Sequence, residues 1–229
     1  MLQFYRMSII PHKRVNFYID GFNFYYGLKR ITEHKPDWRK FYWIDIVVFC
    51  SAFLSSDEVL GKVKYFTSRP RNQDKMIRQN ILMRCNQKLN PIQLEIVYGR
   101  YANKELKCNA VGGCKKKYDD LEEKETDVNL AIQMIIDSYE KVCDKMVLIS
   151  GDTDFVPPLK RIKSNHKNIE TMILFPPGNR STHLSQICSN NLDLEKHKPK
   201  WNKAILPNEV ICDDGTIFVI PDKWRLNNK

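Results

Sequence analysis

The 229-residue chain has no long apolar run. Its longest, Ile44 to Leu54, is interrupted by Asp45 and Ser51 and falls well short of the roughly 20 residues a bilayer span needs. The opening stretch, MLQFYRMSIIPHKR, holds no apolar core of signal-peptide length. Internal repeats and low-complexity tracts are also missing, which argues against fibrous and disordered classes. The seven cysteines, at 50, 85, 108, 114, 143, 188 and 212, are odd in number and scattered. That pattern argues against a secreted disulfide framework and for a reducing compartment, so the cytoplasm is the expected location. Nor does any Ser or Cys carry an adjacent His base, and this argues against a serine or cysteine hydrolase. His166 and His183 fall in or beside late helices without a partnering motif and read as surface or rim residues.

What is present is an ordinary globular balance, 42% hydrophobic and 28% charged, with a formal net charge of +10. The length suits one domain of about 100–200 residues plus an extension. We place the domain at 12–190 and the extension at 191–229. The basic excess predicts an anionic partner. Most of it lies within residues 61–100, where nine Lys and Arg stand against Asp74 and Glu95.

Strand and helix patterns alternate along the chain. Residues 14–20 are rich in β-branched and aromatic side chains and stop at a glycine, reading as a first strand. A helix is expected over 22–31 and another over 40–55. Residues 62–67 read as strand two, 71–89 as a helix before Pro91, and 94–98 as strand three. Residues 102–125 read as a charged, irregular insert. The clearest helix spans 127–140, with Val128, Ala131, Ile132, Ile135, Ile136 and Tyr139 forming an apolar stripe expected to face a core. Thr126 or Asp127 would cap it. Strand four follows at 145–150, a helix at 155–164, strand five at 169–175 and a closing helix at 181–189. A hairpin is expected around Asp213-Asp-Gly215. This alternation implies a doubly wound α/β fold with a mostly parallel, five-stranded sheet.

Ligands in such sheets sit beyond the carboxyl ends of the strands, where strand order reverses. Asp20 and Asn23 follow strand one, and Ser150, Asp152, Thr153 and Asp154 follow strand four. Arg69 and Arg71 follow strand two, Arg100 strand three and Arg180 strand five. One edge would thus hold an acidic centre within a basic rim. Several carboxylates at one site require a cation or protons. Oxygen donors without His or Cys suit Mg²⁺ or Mn²⁺. Such an ion activates water and stabilises charge on a phosphodiester, while arginines would neutralise the backbone. Each aspartate also has a plainer reading. Asp20 could be a turn residue, Asp127 a helix cap, and Asp152 and Asp154 caps for the helix after them.

Three segments together, VNFYIDGFNFYYGL (15–28), EKETDVNLA (123–131) and SGDTDFVPPLK (150–160), resemble the NYN domain, in particular its LabA-like branch within the PIN-like nuclease superfamily. The resemblance runs over about residues 12–190. It implies a doubly wound α/β fold and metal-dependent endoribonuclease activity. By the match, Asp20, Asp127, Asp152 and Asp154 would be acidic metal ligands, Asn23 the polar residue beside the first, and Ser150 and Thr153 the small hydroxyls lining the turn. Where the family often closes with an Ala-Asp-x-Phe-like stretch, this chain has Gln186-Ile-Cys-Ser-Asn190, so no late carboxylate is implied. Some LabA-like members are better known as regulators, which leaves a non-catalytic RNA- or protein-binding module as the alternative.

Single-stranded RNA is the expected partner, with Arg69, Arg71, Arg100 and Arg180 as its contacts; a homodimer or a protein inhibitor is left open. Phe22, Tyr25 and Tyr101 could stack on a base, although aromatics beside strands more often belong to a core. A phosphotransferase using Asp20 as nucleophile would want a second Asp two residues on, where Phe22 stands. Cys108 and Cys114 lack a second nearby pair, so a glycine-bearing loop is a better reading than a zinc knuckle. In the extension, Trp201 and Trp224 are expected to pack against the domain edge more than to extend a nucleic-acid surface.

Overall fold

A computed structural model describes residues 12–107, 117–188 and 190–226, with the backbone alone for 101–107 and 117–124. The region opens with β1 (Lys13–Asp20) and α1 (Gly21–His34). A 3₁₀ stretch (Pro36–Tyr42) leads to α2 (Ile46–Ser51) and β2 (Glu58–Thr67). Next come α3 (Gln73–Leu89), β3 (Leu94–Tyr98), β4 (Arg100–Lys107), β5 (Lys117–Lys124) and α4 (Thr126–Glu140). They are followed by β6 (Lys145–Ile149), α5 (Val156–Asn165), β7 (Glu170–Phe175), α6 (Thr182–Ile187) and β8 (Asn191–Asp193). Helix α7 (Lys198–Lys203) and the hairpin β9 (Glu209–Ile211) and β10 (Ile217–Val219) complete it.

The main sheet has the order β3-β2-β1-β6-β7-β8, and every neighbouring pair is parallel. Strand order reverses between β1 and β6. β1 is covered on both faces, which explains its nearly continuous apolar run. Val15, Phe17 and Ile19 face a core shared with α1, α2, α3 and the α7 residue Trp201. Tyr18 faces the second core, shared with α4, α5 and α6. The fold is the expected α/β class, doubly wound, with the expected C-terminal hairpin.

Four expectations are corrected. The sheet has six strands, not five, because Asn191-Leu-Asp193 adds β8 beside β7. Three largely polar residues carry no periodic signal that could have revealed it. The 40–55 segment is not one helix: Asp45 starts a new, short one by accepting from the Val47 and Val48 N–H groups, both at 2.9 Å. The 102–125 insert is not irregular, since β4 and β5 pair antiparallel from Arg100↔Lys124 to Lys107↔Lys117. Its two strands are so rich in charge that no apolar alternation betrays them. Cys108 and Cys114 lie outside the described residues, as does the side chain of Tyr101.

In α4, the fourth difference, only Ala131 and Ile135 of the expected stripe pack against the second core. Val128 and Tyr139 are 58% and 57% exposed, and Ile132 and Ile136 are exposed with them. The buried face carries Leu130, Met134, Asp137 and Ser138 instead. Asp137 can be buried because Lys64 of β2 reaches it at 2.8 Å, and the Tyr18 hydroxyl donates to it at 2.6 Å. Gln133 donates to its other oxygen at 2.8 Å. The helix is capped by neither Thr126 nor Asp127. Glu125, at φ 79°, precedes it without a side-chain cap bond.

Candidate functional site

Asp20 ends β1 at the point where strand order reverses, and it is only 1% exposed. Its position follows from register: Ile19 pairs with Ile149 of β6, so the next residues, Asp20 and Ser150, meet across the switch point. The Ser150 hydroxyl donates to Asp20 Oδ2 at 2.8 Å. Asn23, one turn into α1, donates its backbone N–H to Oδ1 at 3.0 Å and its side-chain amide to Oδ2 at 2.6 Å. Asp20 is therefore a helix cap, and that role is compatible with its being a candidate site residue.

All three donors are neutral, and no ion pair among the described residues reaches Asp20. Burial pushes its pKa above the ordinary carboxylate value, and the nearby Asp152 charge pushes it the same way. The hydrogen bonds from Asn23 and Ser150 oppose that rise. Asp152 is held through Ser150, whose hydroxyl accepts from the Asp152 N–H at 3.0 Å. Asp152 also caps the 3₁₀ turn Thr153–Phe155 by accepting from the Asp154 N–H at 3.0 Å.

The structure thus brings Asp20, Asn23, Ser150 and Asp152 into one hydrogen-bonded group. Thr153 and Asp154 are exposed in the turn that follows. Asp127 opens α4 next to Thr126, whose hydroxyl lies 3.1 Å from that of Ser68 at the end of β2. That contact ties the start of α4 to the same sheet edge. Among the described residues, no three His, Cys, Asp or Glu side chains stand close enough together to hold one ion. The donors present are all oxygen, which suits a hard divalent cation. Three donors on Asp20 leave carboxylate lone-pair capacity unused, and a cation would relieve its uncompensated burial.

Asn179 belongs to this site and was not anticipated. Its amide donates to Asn23 Oδ1, completing a chain from the β7–α6 loop to Asp20. The approach is close: a Cβ on Gly151 would lie 2.0 Å from the Asn179 carbonyl. A Cβ on Gly21 would lie 2.6 Å from the Phe66 carbonyl, so glycine is required where β1 turns into α1. The only signal for Asn179 in the sequence was its place in a turn after a strand.

The four arginines differ in their surroundings. Arg69 lies over the Tyr98 ring at 5.2 Å, and Arg71 is exposed. Arg100 pairs with Glu125. Arg180 holds Asp193 and Asn191, each at 2.7 Å, and lies over Phe175. That fork clamps β8 to the end of β7. Lys64, counted in the basic excess, is internal.

Comparison with known proteins agrees with this architecture. The model of the NYN domain family matches residues 14–195. The chain is 29% identical over 206 residues to a 6-hydroxy-3-succinoylpyridine 3-monooxygenase, HspA, of Pseudomonas putida (strain DSM 28022 / S16), covering 76% of this chain. The match spans 64% of that relative's length. A crystal structure of a protein of unknown function from Vibrio parahaemolyticus RIMD 2210633 superimposes with a TM-score of 0.53. It shares 16% identity and covers 80% of this chain and 93% of its own, a likeness of fold.

Proposed function

The chain belongs to the NYN domain family, within the PIN-like nuclease superfamily, and from that premise we propose that it is a metal-dependent endoribonuclease of the LabA-like branch acting on single-stranded RNA. One observation carries the reading. Asp20 is a buried carboxylate at the switch point, with neutral donors only and a second carboxylate, Asp152, beside it. Such a pair is stabilised by a cation.

Asp20 and Asp152 would be the principal ligands, with Asp127 and Asp154 joining from the same edge. Mg²⁺ or Mn²⁺ would supply Lewis acidity toward water and the phosphodiester. Asn23 and Ser150 fix the orientation of Asp20, and Asn179 fixes Asn23. Arg69 and Arg71 would neutralise the RNA backbone; Arg100 and Arg180 would do so only by leaving their present partners. The five described cysteines, all unpaired, are consistent with a reducing, cytoplasmic setting. No described helix is long and apolar enough to cross a membrane.

A second reading, a non-catalytic RNA-binding module, is favoured by the lack of a three-ligand group among the described residues. The related monooxygenase shows that a relative of this chain bears the name of a different chemistry. Incubating end-labelled single-stranded RNA with Mg²⁺ or Mn²⁺, with chelator, and with an Asp152→Asn variant separates the readings. The nuclease reading expects cleavage that chelator and variant both suppress. Cleavage indifferent to either would sink the metal mechanism, and binding without cleavage would establish the module.

A further inference from the structure

A cavity of about 280 Å³ opens beside Asp20, between α1, α3 and the ends of β1 and β2. It lies just below the range of ligand pockets, roughly 300 to 1,000 Å³, a size for a single ring system and not a larger ligand. We propose that this cavity binds one nucleobase of the RNA, with an N–H of the base on Gln79 and the attached phosphate at a rim of Arg71, Lys75 and Arg78. The choice of RNA rests on the nuclease reading above; the chemistry of the pocket is argued from its own residues.

The lining begins at Gly21, the residue after Asp20, and includes Thr67 and Ser68 at the end of β2. A nucleotide seated there would lie on the β2 side of the Asp20–Gly21 turn.

Gln79 defines the polar requirement. Its amide nitrogen donates to Thr67 Oγ1 at 3.0 Å and to the Ser68 carbonyl at 3.1 Å. A carbonyl can only accept, so the nitrogen must be at that end and the amide cannot be turned round. Gln79 Oε1 is then left as a buried acceptor without a partner. Buried acceptors are normally satisfied, and this one, closed to solvent in the unliganded arrangement, takes an N–H donor once a neighbouring side chain of the lining gives way. Every nucleobase offers such a donor on its pairing edge.

The walls are aromatic. Tyr25 and Tyr42 have ring centroids 5.7 Å apart, and Tyr42 stacks on Trp224 at 5.7 Å and 12°. Flat π surfaces of this kind accept a base regardless of its identity. The mouth is cationic: Arg71 and Lys75 are exposed, Arg78 is half-buried, and all three line the cavity. None of the three forms an ion pair among the described residues, so each is available to a phosphate. An apolar slot, an unmet acceptor and a cationic mouth together match a planar nitrogen heterocycle carrying an anionic group.

Calorimetric titration of the full chain with each of the four nucleoside 5′-monophosphates, without metal, tests this against ribose 5-phosphate. Nucleotides are expected to bind about tenfold tighter or better than the abasic sugar, as stacking dictates. Gln79→Met should weaken nucleotides by up to about tenfold and leave ribose 5-phosphate unchanged. Arg78→Gln should weaken both ligands and, lying at the rim, leaves the Gln79 bonds in place. Equal binding of base and abasic sugar would overturn the proposal. So would indifference to Gln79→Met, or binding of a small pyridine carboxylate with no nucleotide bound. Because binding is read without turnover, the two readings fail separately. Nucleotide binding with intact RNA removes the nuclease and keeps the pocket; RNA cleavage with base-blind binding does the reverse.

Discussion

Asp20 and Asp137 are buried alike, at 1% and 2% exposure, yet they differ in the charge that surrounds them. Asp137 lies in the second core with the Lys64 ammonium against it, and hydrogen bonds from Tyr18 and Gln133 complete its shell. Asp20 lies at the end of β1 and receives donors that are all neutral. A buried anion with its own cation is finished by the fold. One without it retains an unmet demand for positive charge, which a bound ion or substrate can meet. The difference marks Asp137 as structural and Asp20 as the candidate for function without appeal to position in a motif.

The largest expected effect comes from breaking the balanced site. Asp137→Ala should cost about 3–5 kcal/mol, because Lys64 is left buried and unpaired. Urea unfolding measures it. Replacing both partners, Lys64→Met with Asp137→Leu, should recover most of that loss, and a double variant as unstable as the single one would refute the pairing argument.

The unbalanced site should behave oppositely. Asp20→Asn is expected to lower RNA cleavage by about 10²–10³-fold, of the order seen when one charge-stabilising group is removed from an active site. Single-turnover cleavage checks this. Saturating Mg²⁺ or Mn²⁺ should raise the melting temperature of the original protein and not that of the variant.

A smaller effect depends on pH. Burial holds the Asp20 pKa above its ordinary value of 3.8. The native state thus binds the proton more tightly than the unfolded chain does. The stability this contributes is complete below about pH 3.8 and is lost as pH rises through the raised folded value. Asp20→Asn should therefore gain stability relative to the original protein as pH increases toward neutrality. Urea unfolding from pH 4 to 8 would show a constant difference if Asp20 were not desolvated.

The smallest effect concerns the rim. Arg71→Ala should reduce the slope of RNA affinity against salt by about one, as expected for a lost phosphate contact. Arg180→Ala should leave that slope nearly unchanged, since its fork is held by Asp193 and Asn191. Filter binding across a salt series distinguishes the two.

Much of the architecture was legible because it rests on local signals. The apolar run before Asp20-Gly21, the strand ending at Ile149 and the Ser150-Gly-Asp-Thr-Asp154 turn all lie within a few residues of the features that identify them. Alternation of strands and helices then brings both turns to one sheet edge. The missed elements have weak or conflicting local patterns. β8 is three residues long, and the β4–β5 ribbon is charged along most of its length. Asn179 reaches Asn23 across 156 positions of sequence. In α4 the apolar periodicity was real, but only Ala131 and Ile135 of it pack against the core, and the other four residues are exposed.

The sequence by itself determined the class of fold, the order of the central elements and the presence of Asp20 and Asp152 at strand ends. Neighbouring residues dictate backbone conformation and hydrophobic period, and those are enough for such conclusions. Only the tertiary structure decided which face of α4 is buried and, among the described residues, which arginines remain unpaired and which carboxylate lacks a countercharge. Each of these depends on a partner distant in the chain, as Asp137 depends on Lys64, 73 positions away. The cost of burying a charge is set by what stands against it in space.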